Sequence, residues 1–302
     1  MISYVVPEDI PSCSARSFLK EKGVSGSLFR RIKNSGSFYV NGCPVHAVGT
    51  ILRAGDTVSY AYPETPQEIE PEEIPLDIRY EDADLVIVNK PAGLLVHPTP
   101  KTVNGTLANA LLWHYRQNGE PTAFHCVHRL DRMTSGLLLA AKRPEIQHLL
   151  STKEGKLFHR EYLAVAEGVL TPESGTISLP IARDPESIIT RIVSPDGKPA
   201  VTDYRTERIF SVGSFGTCSL LRLTLVTGRT HQIRVHLSHI GHPLLGDDLY
   251  GGSPACISRQ ALHAGRICLR HPITGKTLDI HAEPPEDIRR LLPENTDLRV
   301  NL

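Results

Sequence analysis

The stretch His128-Arg129-Leu130-Asp131-Arg132-Met133-Thr134-Ser135-Gly136 constrains this chain more than any other. An acidic residue follows Arg129-Leu130, and Thr134-Ser135-Gly136 turns the backbone into an apolar run, Leu137 to Ala141. That run reads as a buried strand, so Asp131 stands on a tight loop at a strand's entrance. A lone aspartate in a loop more often caps a turn or a helix. A carboxylate beside an arginine, fixed by a loop on a rigid scaffold, also suits nucleophilic or acid–base chemistry.

The rest of the chain decides how large a scaffold this loop can have. At 302 residues there is room for one large domain, or for one large and one small. No apolar run approaches the roughly 18 residues of a transmembrane helix. The opening MISYVVPEDIP lacks a basic region followed by an apolar one, so a cytoplasmic location is expected. Cys13, Cys43, Cys126, Cys218, Cys256 and Cys268 form no CxxC pair and read as free thiols in a reducing compartment. The histidines show neither HxxxH nor HExxH spacing, and no metal is expected.

Lys+Arg and Asp+Glu number 33 each, so the net charge is zero, but the charges are not evenly spread. Between Phe18 and Lys33, the basic Lys20, Lys22, Arg30, Arg31 and Lys33 face only Glu21. Between Pro63 and Pro75 the bias reverses, with Glu64, Glu68, Glu70, Glu72, Glu73 and no basic residue. The proline- and glutamate-rich stretch cannot bury a core and reads as an extended, exposed linker over residues 63–75. It separates a small unit at 1–62 from a main domain at 76–302.

Residues 12–62 read as two short helices followed by strands. Apolar spacing from Ser14 to Lys20 is helical and stops at Gly23. Ser27 is placed to cap a second helix through Leu28, Phe29 and Ile32, ended by Asn34-Ser35-Gly36. Phe38-Tyr39-Val40 is a strand, Asn41-Gly42 a hairpin turn, and Val58 to Tyr62 another strand.

In the main domain, Asp84 to Asn89 reads as a buried strand and Thr106 to Gln117 as a helix with Leu107, Ala110, Leu111 and Trp113 on its apolar face. Pro144 to Glu154 is a helix with proline in its first turn. Tyr162 to Ala166 and Leu220 to Val226 are strands, and Thr230 to Ile240 is a helix ended by Gly241. Strands and helices do not alternate strictly. The expected class is therefore α+β, a mixed and largely antiparallel sheet with flanking helices.

Three further segments carry candidate chemistry. In Thr227-Gly228-Arg229-Thr230-His231-Gln232-Ile233-Arg234, Arg229 sits where a strand gives way to a helix and can point over the sheet edge. A partly buried carboxylate needs a cation to stay ionised, and a guanidinium suits it. Arg229 is assigned that role; His231, Gln232 and Arg234 read as structural. Tyr162 begins a strand after Arg160-Glu161, an ordinary place for a core aromatic. Lys90-Pro91-Ala92-Gly93 is a turn after a central strand, with Lys90 read as a phosphate contact.

Together these segments resemble the RluA family of RNA pseudouridine synthases, over about Leu76 to Glu283. The resemblance lies in the HRLD loop, the TGRTHQIR segment, the KPxG turn and the segment around Tyr162. The small amino-terminal unit is similar to the alpha-L RNA-binding motif, which implies an RNA contact through Arg30, Arg31 and Lys33. The resemblance implies isomerisation of uridine to pseudouridine in structured RNA, with Asp131 as the catalytic residue, Arg229 as its partner and Tyr162 on the target base. It implies that Arg129 enters the space left when the base flips out. It implies large-subunit ribosomal RNA as substrate, with transfer RNA as the alternative, and no cofactor; a monomer is the default expectation.

Two other classes compete. One is a ribosome-associated RNA-binding protein with an idle catalytic loop; the presence of Asp131, Tyr162 and Arg229 together argues against it. The other is a hydrolase using Asp131. A nuclease would need a cluster of metal-binding carboxylates, which is not found near the motifs. An N-glycosidase would release free uracil. A Ser-His-Asp hydrolase is set aside because no GxSxG occurs.

Overall fold

Ser14 and Ser25 each begin a helix, the first accepting the N–H of Ser17 at 3.1 Å and the second that of Leu28 at 3.2 Å. The computed structural model describes residues 1–302 except 36, 48, 62–67, 121–122, 152–157, 214, 295 and 297–302. The amino-terminal unit contains β1 (Ile2–Val5), β2 (Ser12–Ser14), α1 (Ala15–Glu21), α2 (Gly26–Ser35), β3 (Ser37–Val40), β4 (Cys43–Pro44), β5 (Ile51–Arg53) and β6 (Thr57–Ala61). Its main sheet runs β1-β6-β3-β4, all antiparallel. Asn41 and Gly42, with φ of 52° and 78°, make the expected turn. The second helix starts two residues earlier than expected, at Gly26, with Ser25 as its cap. The side chain of Ser27, and Gly36 and Tyr62, lie outside the described residues.

The main domain follows with β7 (Ile78–Glu81), β8 (Leu85–Lys90), α3 (Leu107–Gln117), β9 (His125–Cys126), β10 (Ser135–Ala141), α4 (Pro144–Ser151) and β11 (Phe158–Glu167). Next come β12 (Ser174–Ser178), β13 (Ile181–Arg183), β14 (Arg191–Val193), β15 (Val201–Val212), β16 (Gly216–Leu225) and α5 (Gln232–His239). The chain ends with β17 (Leu262–Arg270), β18 (Thr277–His281) and α6 (Glu286–Arg289). One ten-stranded sheet is ordered β12-β15-β16-β11-β17-β10-β8-β7, with β18 beside β17 and β9 beside β10. Among the described residues of this sheet, only β10 and β17 pair in parallel. This is the mixed, largely antiparallel sheet expected.

Every residue of β10 is buried, because both faces of the sheet are covered. Leu137 and Leu139 face one way and pack with Leu85, Ile87 and Ile146 against Leu19, Leu28 and Leu52 of the amino-terminal unit. Leu138 and Ala140 face the other way, toward Leu107 and Leu111 of α3 and Leu237 of α5. The small unit thus shares a core with the sheet.

Over residues 68–75 the acidic stretch is extended with its glutamates exposed, and it is also tethered to the main domain. Residues 62–67 lie outside the description, but the rest binds the start of α3. The Asn109 side chain donates to the Glu70 carbonyl at 2.8 Å, and the Glu72 carboxylate accepts the Gly105 N–H at 2.6 Å. A carboxylate is favoured there by the unpaired amides of the helix end. On α3 itself, Leu107, Ala110 and Leu111 are buried as expected, while Trp113 is only half-buried and Tyr115 completes the apolar face.

Candidate active site

One row across the sheet sets the site. Lys90, Gly136, Ala264, Tyr162 and Leu223 are consecutive neighbours on β8, β10, β17, β11 and β16. The strands approach so closely at Gly136 that a Cβ there would lie 2.3 Å from the Ala264 carbonyl oxygen; its φ is +112°. Only glycine fits both demands. Asp131 stands just before this crossing, and its own carbonyl accepts the Thr134 N–H at 3.1 Å to close the loop.

The Lys90-Pro91-Ala92-Gly93 turn holds the loop from one side. Gly93 N–H donates to the Arg132 carbonyl at 2.9 Å, and Arg132 Nε returns a bond to the Gly93 carbonyl at 3.0 Å. Lys90 is 1% exposed, and its Nζ donates to the carbonyls of Pro91, Leu94 and Arg132 at 2.8, 3.0 and 3.1 Å. The phosphate contact expected of Lys90 is therefore contradicted: its three donors are spent inside the protein. Burial pulls its proton affinity down to about 7, against the opposing charge of Asp131. His128 also braces the loop, its Nε2 accepting the Leu139 N–H at 3.1 Å, and burial holds it neutral.

The cation at Asp131 is Arg234, not Arg229. Arg234 Nη1 lies 3.2 Å from Asp131 Oδ2, while its Nε and Nη2 clasp Asp247 at 2.7 Å each. Burial works against the guanidinium charge, but Asp247 first and Asp131 second more than offset it, so Arg234 titrates above its ordinary range. Arg229 instead directs Nε to the Pro199 carbonyl at 3.0 Å. The local reason is a knot at Gln232. Its Oε1 accepts from Arg229 N–H and Thr227 Oγ1, and its Nε2 donates to Val201 and Thr202 of β15. This fixes the Thr227–Arg229 turn against the sheet. His231 then takes a left-handed conformation, φ 57°, to start α5. Residues 231 and 234 share a helix face, and that face meets Asp131.

The sequence signal for Arg234 was present in the second arginine of the TGRTHQIR segment. Nothing local marks Asp247, 1% exposed, as the residue that would orient it.

Asp131, Arg129, Tyr162, Arg229, His231 and Arg234 all line one cleft of about 690 Å³. Such a volume is in the range of small-molecule sites. Arg129 is exposed at the cleft. Tyr162 is buried on its floor; burial raises its phenol above the usual range, with nearby Arg160 acting the other way. Arg160, assigned no role from sequence, also lines the cleft. Arg30, Arg31 and Lys33 are exposed on α2 and lie outside the cleft.

One cluster elsewhere has metal-like composition: Asp82, Asp84 and His271. His271 Nδ1 accepts the N–H groups of Ile273 and Thr274 at 3.2 and 3.1 Å. Its proton therefore sits on Nε2, facing Asp82 Oδ2 at 3.0 Å, and Asp84 is paired with Arg143. The group is held by charge pairing, with His271 Nε2 close to Asp82 but making no hydrogen bond.

The family model described as RNA pseudouridylate synthase matches residues 84–239. The chain is 38% identical over 288 residues to an uncharacterized RNA pseudouridine synthase of Bacillus subtilis, YjbO, covering 92% of this chain and 98% of that one. It is 45% identical over 238 residues to ribosomal large subunit pseudouridine synthase D of Escherichia coli K12, covering 74% of this chain and 71% of that one. Among solved structures, human RNA pseudouridylate synthase domain containing 1 superposes with a TM-score of 0.56 at 26% identity, covering 73% of this chain and 86% of that one.

Proposed function

Because this chain belongs to the RNA pseudouridylate synthase family, and is thereby an RNA pseudouridine synthase, we propose that it modifies selected uridines of large-subunit ribosomal RNA with Asp131 as the essential carboxylate. The observation that carries the reading is the placement of Asp131: on a braced loop, in a cleft, with one oxygen on Arg234 and the other facing open space toward His231. The ribosomal substrate is supported by the name of the Escherichia coli relative and by the basic face of α2.

The chemistry is an isomerisation. The bond from ribose C1′ to uracil N1 breaks, the uracil turns in the cleft, and a bond from C1′ to C5 forms, while C5 loses a proton and N1 gains one. No electrons are gained or lost, so no cofactor is called for. Asp131 attacks C1′, attacks C6, or takes the C2′ proton to give a glycal; all three routes need an ionised carboxylate. Arg234 serves that need. Tyr162 packs beneath the uracil, and Arg229 and Arg129 bind the flipped nucleotide and its vacated place.

The test is pseudouridine mapping, by carbodiimide-adduct primer extension, of ribosomal and transfer RNA from cells with and without this gene. Loss of ribosomal marks, restored by the wild-type protein but not by Asp131→Asn, is the expected result. Marks lost only from transfer RNA would overturn the substrate, and restoration by Asp131→Asn would overturn the catalytic assignment.

A further inference from the structure

His231 is the one residue at this site whose backbone is under strain: among the described residues, only it and the turn residue Asn41 have positive φ without being glycine. It occupies the cap position of α5 yet makes no side-chain cap. Strain of this kind persists where surrounding structure imposes it. Here the ring is turned into the cleft, between Tyr250 and Asp131.

The hydrogen bonds around the ring determine its proton. Tyr250 Oη accepts the backbone N–H of Arg191 at 3.0 Å and lies 2.7 Å from His231 Nδ1. Among the described residues the phenol hydrogen has no acceptor other than Nδ1, so the phenol is assigned as the donor to Nδ1. The proton of the neutral imidazole then belongs on Nε2. That nitrogen is 3.8 Å from Asp131 Oδ1, on the other side of the carboxylate from the Arg234 bond to Oδ2. Tyr250 braces both donors, its ring lying 4.9 Å below the Arg234 guanidinium carbon and edge-on to His231.

We propose that His231 is a positioning residue for Asp131, locked by Tyr250 as the Nε2–H tautomer so that it offers the carboxylate a second donor opposite Arg234. The inference rests on the reading of Asp131 as the working carboxylate. Donors on both oxygens fix the carboxylate plane, leaving its remaining lone pairs aimed into the cleft. A neutral donor orients the carboxylate without cancelling its charge, as an imidazolium would. At 3.8 Å the pair lies beyond direct hydrogen-bond range, and the proposed role has the contact close in the substrate complex. The charged groups facing the ring are Asp131 and Asp247 on one side of the balance and Arg234 and Arg191 on the other. Burial, the largest influence, keeps the ring neutral below its ordinary pKa.

The test is long-range proton–nitrogen NMR of the full chain labelled at the histidine rings, read from about pH 5.5 to pH 8. The His231 signal is assigned by its loss in His231→Asn, a residue that tolerates the left-handed backbone. The wild-type ring should be neutral with Nε2 protonated. Tyr250→Phe should give a tautomer mixture whose protonation midpoint moves up. An Nδ1-protonated or charged ring in the wild type near pH 7, or an unchanged ring in Tyr250→Phe, would overturn the proposal. Turnover is read separately, as tritium release from a large-subunit ribosomal RNA transcript labelled at uracil C5. His231→Asn should lower kcat roughly 10- to 100-fold with KM little changed, the worth of one hydrogen bond to a charged group. Unchanged kcat would overturn the role at Asp131. A wild-type protein inactive on this RNA would count against the ribosomal substrate, while the NMR result would still decide the state of His231.

Discussion

Arg234 reaches Asp131 across 103 residues of sequence and, with its other edge, holds Asp247 in a two-point clasp. One guanidinium therefore pairs with two carboxylates, of which Asp247 is fully enclosed. Arg234→Ala should strip both, costing about 3–5 kcal/mol of stability along with activity. Arg229→Ala, which removes only a bond to the Pro199 carbonyl, should cost about 1 kcal/mol or less. It should still lower kcat/KM, because Arg229 lines the cleft. Urea melts of the two variants separate the roles. Equal stability losses would mean that Arg229 carries structural weight that its contacts do not reveal.

Gly136→Ala tests the strand crossing beneath the catalytic loop. The new methyl would meet three backbone atoms of Ala264, at 2.3, 2.5 and 2.8 Å, on a backbone that disfavours any side chain. Backbone atoms in mid-sheet cannot step aside. The expected loss is about 3 kcal/mol or more, seen as a fall in denaturation midpoint. A variant with wild-type stability would mean that β10 and β17 separate more readily than their parallel pairing implies.

The basic face of α2 should act on RNA affinity and not on chemistry. Replacing Arg30, Arg31 and Lys33 together with alanine should reduce the slope of log affinity against log salt by roughly 2 to 3. Turnover at saturating RNA should hold. Fluorescence anisotropy at several salt concentrations gives the slope. An unchanged slope would remove these residues from the RNA interface.

Much of the catalytic loop was legible because its signals are local. Asp131 precedes a turn and an apolar run, and that pattern alone specifies a loop before a buried strand. Tyr162 follows from its place in a strand. What could not be read was which arginine meets the carboxylate. The TGRTHQIR segment offers two, and the choice depends on the Gln232 knot, the left-handed turn at His231 and the distant Asp247. Lys90 failed for a related reason. A lysine after a strand looks solvent-facing until both the Gly93 and Arg132 segments fold over it. The acidic stretch is exposed as its composition implies, but composition could not show that Glu72 accepts a backbone amide just before α3.

Lys90 also supplies a pH signature. Its folded pKa, drawn down to about 7 by burial, lies below the roughly 10.4 of an unfolded lysine. Between those values the unfolded chain binds more protons than the folded one. Stability contributed at this position therefore rises as pH climbs from about 7 toward 10.4 and is lost on the way back down, with a slope approaching about 1.4 kcal/mol per pH unit. Below the folded value both states are protonated and the slope vanishes. Lys90→Met removes the titrating group, so the difference in unfolding free energy between wild type and variant should carry this slope alone. Three carbonyls on one Nζ pull the other way, since a neutral amine has only two N–H groups to offer them. A flat difference between pH 7 and 9 would mean that those carbonyls outweigh burial and keep the ammonium charged beneath the catalytic loop.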